Sequence, residues 1–319
     1  MFNKQTRRTF LQTMSAIGGA TLFPTLGFSQ DAAGSIITRA IPGTNEQMPL
    51  VGFGSSAAVE QILKTGPGLI TLMFETMIRL GASVIDTAPR GVEIDEAFGK
   101  LLAEPHFSNN LFVNTKVGRN RALNLRNLDK QAGIEQMRQI EKVFNRTPSD
   151  LVQVDSMIDI DVHWPSLRDA KANGQARYIG ITTSDTAMHE QMEAFMKSDK
   201  PDFIQVNYSL LEPDAGNRIL PLARDLGIGV IINTPFGGGE YFKRTSGLAL
   251  PDWAAEFDCA SWAQFNLKYI LGEPAVNCIL TETTKVANLE ENLRSATGRL
   301  PDEAMRTQMK AHFETLAKA

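Results

Sequence analysis

Val84-Ile85-Asp86-Thr87-Ala88-Pro89-Arg90-Gly91-Val92-Glu93 is the stretch that decides the fold. A short apolar run ends in a carboxylate, a Thr-Ala-Pro turn follows, and a helical pattern takes over at Asp95 and runs to Leu102. A strand buried on both faces reads as an unbroken apolar run. A carboxylate at the C-terminal end of such a strand lies on the rim where barrel and open-sheet α/β proteins keep their chemistry. Asp86 therefore marks the end of a core strand and a candidate site together.

The same strand-then-helix pattern repeats on both sides of this stretch. Core strands are expected at Leu50 to Gly52, Val84 to Asp86, Leu111 to Lys116, Leu151 to Asp155, Arg177 to Thr182, Asp202 to Asn207, Gly229 to Asn233 and Val276 to Leu280. Helices are expected between them. Leu69, Leu72, Met73, Thr76, Met77 and Leu80 share one helical face, and Ile134, Met137, Ile140, Val143 and Phe144 mark another. Asn173-Gly174 suits a helix end, Ser184-Asp185 a helix start, and Ser261 caps a helix from Trp262 to Leu271. Short loops joining eight such alternations predict a closed (β/α)8 TIM barrel. It is preceded by a hairpin around Pro42-Gly43-Thr44-Asn45-Glu46 and followed by an extra C-terminal helix, Glu303 to Leu316. An open doubly wound sheet would want an early Gly-x-Gly-x-x-Gly turn, and Gly237-Gly238-Gly239 comes late with the wrong spacing. The longer loops, 118–130 and 236–253, both follow strands and so belong to the ligand-binding end.

With 319 residues, 43% hydrophobic and 21% charged, the chain suits one large domain with a sizeable core. A net charge of −4 gives no reason to expect nucleic acid or an anionic membrane as partner. Residues 1–30 read as a signal peptide of the Tat type and residues 31–319 as the barrel. Thr6-Arg7-Arg8-Thr9-Phe10-Leu11-Gln12 is a twin-arginine pattern, a weakly apolar run from Met14 to Phe28 follows, and no acidic residue precedes Asp31. The expected partners are then the Tat export machinery and a small-molecule substrate, and the expected location is the periplasm or beyond. The apolar run is too short and Gly-rich for a comfortable membrane span, and no stable span is expected in the mature protein. Cys259 and Cys278 have no metal-ligand spacing, and no metal site is expected. They read as two separate thiols, Cys278 in a buried strand, with a disulfide as the alternative in an oxidising compartment.

In a barrel the strand ends converge on one mouth. Those ends carry Asp86, Lys116, Asp155, Thr182, Thr183, Gln205 and Asn233. An amine between two acids is either a structural ion pair or a reactive centre.

Here the chain resembles the aldo/keto reductases. The segments that carry the resemblance are Ile85-Asp86-Thr87-Ala88-Pro89, Val113-Asn114-Thr115-Lys116-Val117-Gly118, Arg177-Tyr178-Ile179-Gly180-Ile181-Thr182, Asp202-Phe203-Ile204-Gln205-Val206-Asn207-Tyr208-Ser209, Thr234-Pro235-Phe236-Gly237 and Leu289-Glu290-Glu291-Asn292-Leu293. The resemblance implies hydride transfer from NADPH to a carbonyl, with a tyrosine as acid, a lysine and an aspartate that tune it, and a histidine that orients the substrate. A phenol with a pKa of about 10 needs such a cation to act near neutrality. Asp86 and Lys116 stand at the aspartate and lysine positions. The tyrosine position is Gly91 and the histidine position is Asp155. For the cofactor, Gln205 matches the carboxamide-binding glutamine and Thr182 and Thr183 a Ser-Asn pair. The stacking aromatic falls at Asn233, followed by Thr234, Phe236 and Gly237. Thr281-Glu282-Thr283 occupies the turn near the adenosine phosphate, and Glu291 and Asn292 match residues at the adenine.

Gly91 cannot transfer a proton, so Asp155 is the first substitute acid to consider. Its alternative role is to neutralise Lys116. Glu282 would repel a 2′-phosphate, which leaves NADP, NAD or no nucleotide open. Phe236, Tyr241, Phe242 and Trp253 either line a substrate pocket or pack against the barrel top, and Trp262, Phe265 and Tyr269 read as packing. His163 opens the next helix and reads as a solvated helix-start residue, with a position leaning over the mouth as the alternative. The expected function is a nicotinamide-dependent oxidoreductase of small carbonyls or alcohols. The alternative is a non-catalytic barrel that binds a small molecule, nucleotide or protein at the same mouth. The substrate and the oligomeric state are not legible in the chain.

Overall fold

A computed structural model describes residues 35–316 apart from 121–124, 127–128 and 145. The expected signal segment lies outside the described residues. Eight parallel strands close a barrel in chain order: β1 Val51–Gly54, β2 Val84–Asp86, β3 Phe112–Val117, β4 Ser149–Val154, β5 Ala176–Thr182, β6 Phe203–Asn207, β7 Gly229–Asn233 and β8 Cys278–Glu282. Strand β8 returns to β1, with Leu280 opposite Gly52 and Glu282 opposite Gly54. The helices that follow these strands are α1 Gly68–Leu80, α2 Val92–Leu102, α3 Lys130–Phe144, α4 Ile160–Ala172, α5 His189–Asp199, α6 Ile219–Leu226, α7 Trp262–Leu271 and α8 Val286–Arg294. A further helix, α9 Glu303–Leu316, is the last described element, as expected from its sequence. This is the (β/α)8 barrel with an N-terminal hairpin and an additional C-terminal helix.

Side chains on a strand alternate between its two faces, and here the alternation sorts the core into two parts. Ile85, Val113, Val152, Ile204, Ile232 and Ile279 pack outward with the helices. Val84, Phe112, Leu151, Phe203, Ile231, Cys278 and Leu280 fill the barrel interior. The bottom is plugged by the hairpin, Thr38–Ala40 paired antiparallel with Gln47–Pro49, through Ile41 and Met48. Each of these two side chains is 2% exposed, so each contributes about 1.5–3 kcal/mol of burial. Two steps up from the interior residues Val84, Phe112, Phe203 and Ile231, the same face carries Asp86, Asn114, Gln205 and Asn233. The period of two that buries an apolar floor therefore sets a polar ring above it.

The strand ends differ from expectation in detail. The expected fourth strand includes Asp155, whereas β4 stops at Val154 and Asp155 opens a tight 3-10 turn. Ser156 and Met157 have positive φ in that turn, and so does Asp159 at the start of α4. Such backbone costs of order 1–3 kcal/mol per residue and concentrates at ligand clamps and active sites.

Candidate active site

The polar ring lines a cavity of about 490 Å³ at the C-terminal mouth of the barrel. Its walls include Asp86, Lys116, Asp155, Thr182, Gln205, Asn233, Thr234 and Phe236, eight of the residues singled out from the sequence. A second cavity of about 400 Å³ holds Thr283, Glu291 and Asn292. The two share Phe236, Phe242 and Glu282 as common walls. Thr183 does not line either cavity. It is buried, and its carbonyl accepts from Asn233 Nδ2 at 2.9 Å, which fixes the end of β7 against β5. Gly237 also stays out of the lining, where its neighbours Gly238 and Gly239 take part instead.

The centre of the site is a buried ion pair. Lys116, 3% exposed, donates from Nζ to Asp86 Oδ1 and to the Thr87 carbonyl at 3.2 Å. Asn114 Nδ2 donates to Asp86 Oδ1 at 2.6 Å and to Gln205 Oε1 at 2.9 Å. One chain of contacts thus ties β2, β3 and β6 together. The register makes this possible, because Asp86 pairs with Asn114 directly across β2 and β3. Burial of an unpaired ammonium would cost several kcal/mol, and the Asp86 carboxylate offsets that cost. Asp155, 1% exposed, accepts from Ser156 Oγ at 2.7 Å, while the ammonium of Lys116 is paired with Asp86. The site therefore presents a lysine paired with one aspartate and a second carboxylate in the same cavity wall, braced by its own turn.

Gly91 does not line the mouth. It caps α2 with φ +145°, a backbone that side-chain-bearing residues rarely adopt, and its amide donates to Asp95 Oδ2 at 3.1 Å. It faces a separate cavity of about 270 Å³ between α2 and α3, with Val92, Ile140 and Phe144. Burial raises the pKa of the Asp95 carboxyl there, against the lowering effect of the two backbone amides it accepts from. Glu282 is turned toward the β1 loop, where its Oε1 accepts from the Ala57 amide at 2.6 Å.

The structure corrects two sequence expectations, for His163 and Trp262, and resolves the alternative left open for the loop aromatics. His163 is not solvated: it is 1% exposed, packed into space left by two glycines. A Cβ at Gly133 would stand 2.5 Å from its Nδ1 and one at Gly118 3.0 Å from its Cδ2. Of the four loop aromatics, Phe236 and Phe242 line the cavities with ring centroids 4.7 Å apart, but Tyr241 is fully buried and stacks on Phe313. Trp253 packs on Phe265 and Phe257. Trp262, expected as packing alone, is in the wall of the second cavity, its Nε1 donating to the Leu248 carbonyl at 2.9 Å. Cys259 and Cys278 are separate buried thiols.

Sequence reasoning missed Ser56 and Arg90. Ser56 lines the mouth, two residues beyond Gly54, which pairs with Asp86. Arg90 is 4% exposed and donates to Thr87 Oγ1 at 3.1 Å, the Ala88 carbonyl at 2.7 Å and Ser56 Oγ at 2.7 Å. An arginine in a turn gives no sign of burial from its neighbours in sequence. The only local signal is its place within the stretch that ends β2.

The sequence profile of the Aldo/keto reductase family matches residues 70–312, and the chain belongs to that family. An aldo-keto reductase from Bacillus halodurans, AKR11C1 in its holo form, superimposes with a TM-score of 0.69 at 17% identity over 88% of this chain and 96% of that one. The thermostable aldo-keto reductase Tm1743, in complex with the inhibitor epalrestat, gives 0.65 at 20% identity over 86% and 99%. At these identities the likeness is one of fold. Among curated proteins, the uncharacterized oxidoreductase YrpG of Bacillus subtilis is 32% identical over 113 residues, which is 32% of this chain and 34% of that protein. "Probable aldo-keto reductase 1" of Glycine max is 22% identical over 186 residues, 48% of this chain and 51% of that protein. The chain spans about a third to a half of the length of these curated relatives.

Proposed function

We propose that this protein binds a nicotinamide nucleotide across the two adjoining cavities and transfers hydride to or from a small carbonyl or alcohol at the barrel mouth. The observation that carries this reading is the buried Lys116–Asp86–Asn114–Gln205 chain at the floor of a solvent-reaching cavity. A scaffold has little use for a desolvated ammonium at a strand end, and barrels of this architecture react at that end. The residues present fit the nucleotide: Thr182, Gln205, Asn233, Thr234 and Phe236 at one end, Phe242 at the shared wall, and Thr283, Glu291 and Asn292 at the other. When bound there, the nicotinamide supplies or accepts the hydride. Lys116 holds a proton at Nζ against Asp86, and its charge favours negative charge that develops on a substrate oxygen. Asp155, fixed by Ser156, is the carboxyl group positioned to hold or give up a proton at the mouth. The aromatic pair Phe236 and Phe242 gives the shared wall an apolar surface.

The test is nucleotide consumption with a panel of small aldehydes and ketones. Asp155→Ala is expected to lower kcat by about 10²-fold or more. Unchanged turnover in that variant rules out the acid role for Asp155. The position of Gly91, turned away from the mouth, favours a second reading: a barrel that binds ligand without turnover. Saturable nucleotide binding with no consumption across the panel would support it. We also propose that residues 1–30 direct Tat export. Replacing Arg7 and Arg8 together by Lys should retain the protein in the cytoplasmic fraction, and an unchanged periplasmic share would refute that.

A further inference from the structure

Ser56 combines three properties that nothing else at the mouth combines. It lines the cavity together with Asp86 and Lys116. Its Oγ accepts a 2.7 Å hydrogen bond from the Arg90 guanidinium. Its own hydroxyl proton has no acceptor among the described residues, the hydrogen bond from Arg90 being the one its side chain makes. A guanidinium only donates, so Ser56 cannot give its proton back to Arg90. The O–H is left to donate elsewhere, and the half-buried Ser56 lines the cavity. A hydroxyl that accepts from a cation is also polarised, which strengthens the bond it donates onward.

The position is set from both flanks. Gly54 pairs with Asp86, and the next residue, Ser55, donates from its amide and its hydroxyl to the Asp86 carbonyl at 3.0 Å and 2.8 Å. This locks the end of β1 against the end of β2. Arg90 then spans the gap from the β2 turn, held at Thr87 Oγ1 and the Ala88 carbonyl, with Glu60 3.8 Å from its Nε. Thr87 is the residue whose carbonyl accepts from Lys116. The hydroxyl of Ser56 and the ammonium of Lys116 are thereby fixed to the same turn.

We infer that Ser56 is the hydrogen-bond donor to the substrate's oxygen, and that Arg90 is its positioning residue. Resting on the oxidoreductase reading above, this gives the mouth a neutral donor for a carbonyl oxygen where Gly91 offers no side chain. Ser56 polarises the carbonyl and keeps its proton: the hydride pair that reduces the carbon would come from the nucleotide, and the proton taken up by the resulting alkoxide would come from the Asp155 carboxyl or from water in the cavity. Ligands recognised there carry an oxygen acceptor: an aldehyde, ketone or amide carbonyl.

The experiment compares wild type, Ser56→Ala, Ser56→Thr and Arg90→Lys in two assays. The first is reduction of benzaldehyde and of 4-nitrobenzaldehyde, whose carbonyl is already activated. Loss of one preorganised donor is expected to lower kcat for benzaldehyde about 100-fold in Ser56→Ala, and less for 4-nitrobenzaldehyde. Ser56→Thr should recover most of the loss, and Arg90→Lys, which keeps charge but not the fork, should fall between. A structural role would lower both substrates equally. The second assay titrates benzamide, a neutral carbonyl that is not reduced, into the protein with and without nucleotide. Ser56→Ala should weaken benzamide about tenfold and leave nucleotide affinity unchanged. Benzamide binding that depends on Ser56, with no turnover of either aldehyde by wild type, keeps the donor assignment and refutes the reductase reading. Equal losses for the two aldehydes, or benzamide binding that is absent from wild type or indifferent to Ser56→Ala, overturns the donor assignment.

Discussion

Lys116→Met removes one charge from the central pair and keeps an unbranched stem of similar length. Asp86 would then sit with the Asn114 amide 2.6 Å away but no cation. Breaking a buried pair from one side costs about 3–5 kcal/mol, because the remaining charge keeps its desolvation penalty. The Asp86 side chain retains 15% exposure against 3% for Lys116, which places the cost at the low end, about 3 kcal/mol. Reversible urea unfolding followed by circular dichroism reads this directly. The double variant Asp86→Asn with Lys116→Met should cost less than the sum of the single variants, with a coupling of about 1–3 kcal/mol. A Lys116→Met cost below about 1 kcal/mol, or strict additivity in the double variant, would refute the claim that the two groups hold each other in the barrel mouth.

Gly91→Tyr should not restore a reductase tyrosine. At φ +145° it is strained, and a loss of about 1–3 kcal/mol with no gain in turnover is expected in thermal melts and in the aldehyde assay. Cys259 is pushed up to about 11 by burial, so alkylation by iodoacetamide at pH 8 should be much slower than for a free thiol. The same shift has a stability consequence. The folded state holds the proton more tightly, so this contribution is complete below about pH 9 and is lost as pH rises through about 11, which unfolding midpoints between pH 8 and pH 11.5 would register. Glu282→Thr removes a carboxylate from the wall the cavities share and should raise the preference for NADP(H) over NAD(H) about tenfold, read from the two dissociation constants.

The barrel was legible because its strands obey a period of two and its helices a longer one. Val84 and Asp86, Phe112 with Asn114 and Lys116, and Phe203 with Gln205 follow from that alternation without any knowledge of contacts. The turn after β4 was not legible, because nothing in Asp155-Ser156-Met157 announces three left-handed residues within five positions. His163 was misplaced for a related reason. Its burial depends on Gly118 and Gly133, which are distant in sequence and make room only once α3 and α4 pack. Phe236 and Phe242 differ from Tyr241 and Trp253 by which way a short helix, Glu240–Thr245, and its neighbours turn, which composition does not encode. Ser56 and Arg90 are the clearest case. A small hydroxyl and a turn arginine, 34 positions apart, become a site only when β1 and β2 are side by side.

The claim on which the rest depends is that the paired cavities take a nicotinamide nucleotide. Isothermal titration of the full-length protein with NADP and with NAD tests it. One saturable site for at least one of the two is the predicted result, weakened in Phe236→Ala. No heat with either nucleotide would contradict it.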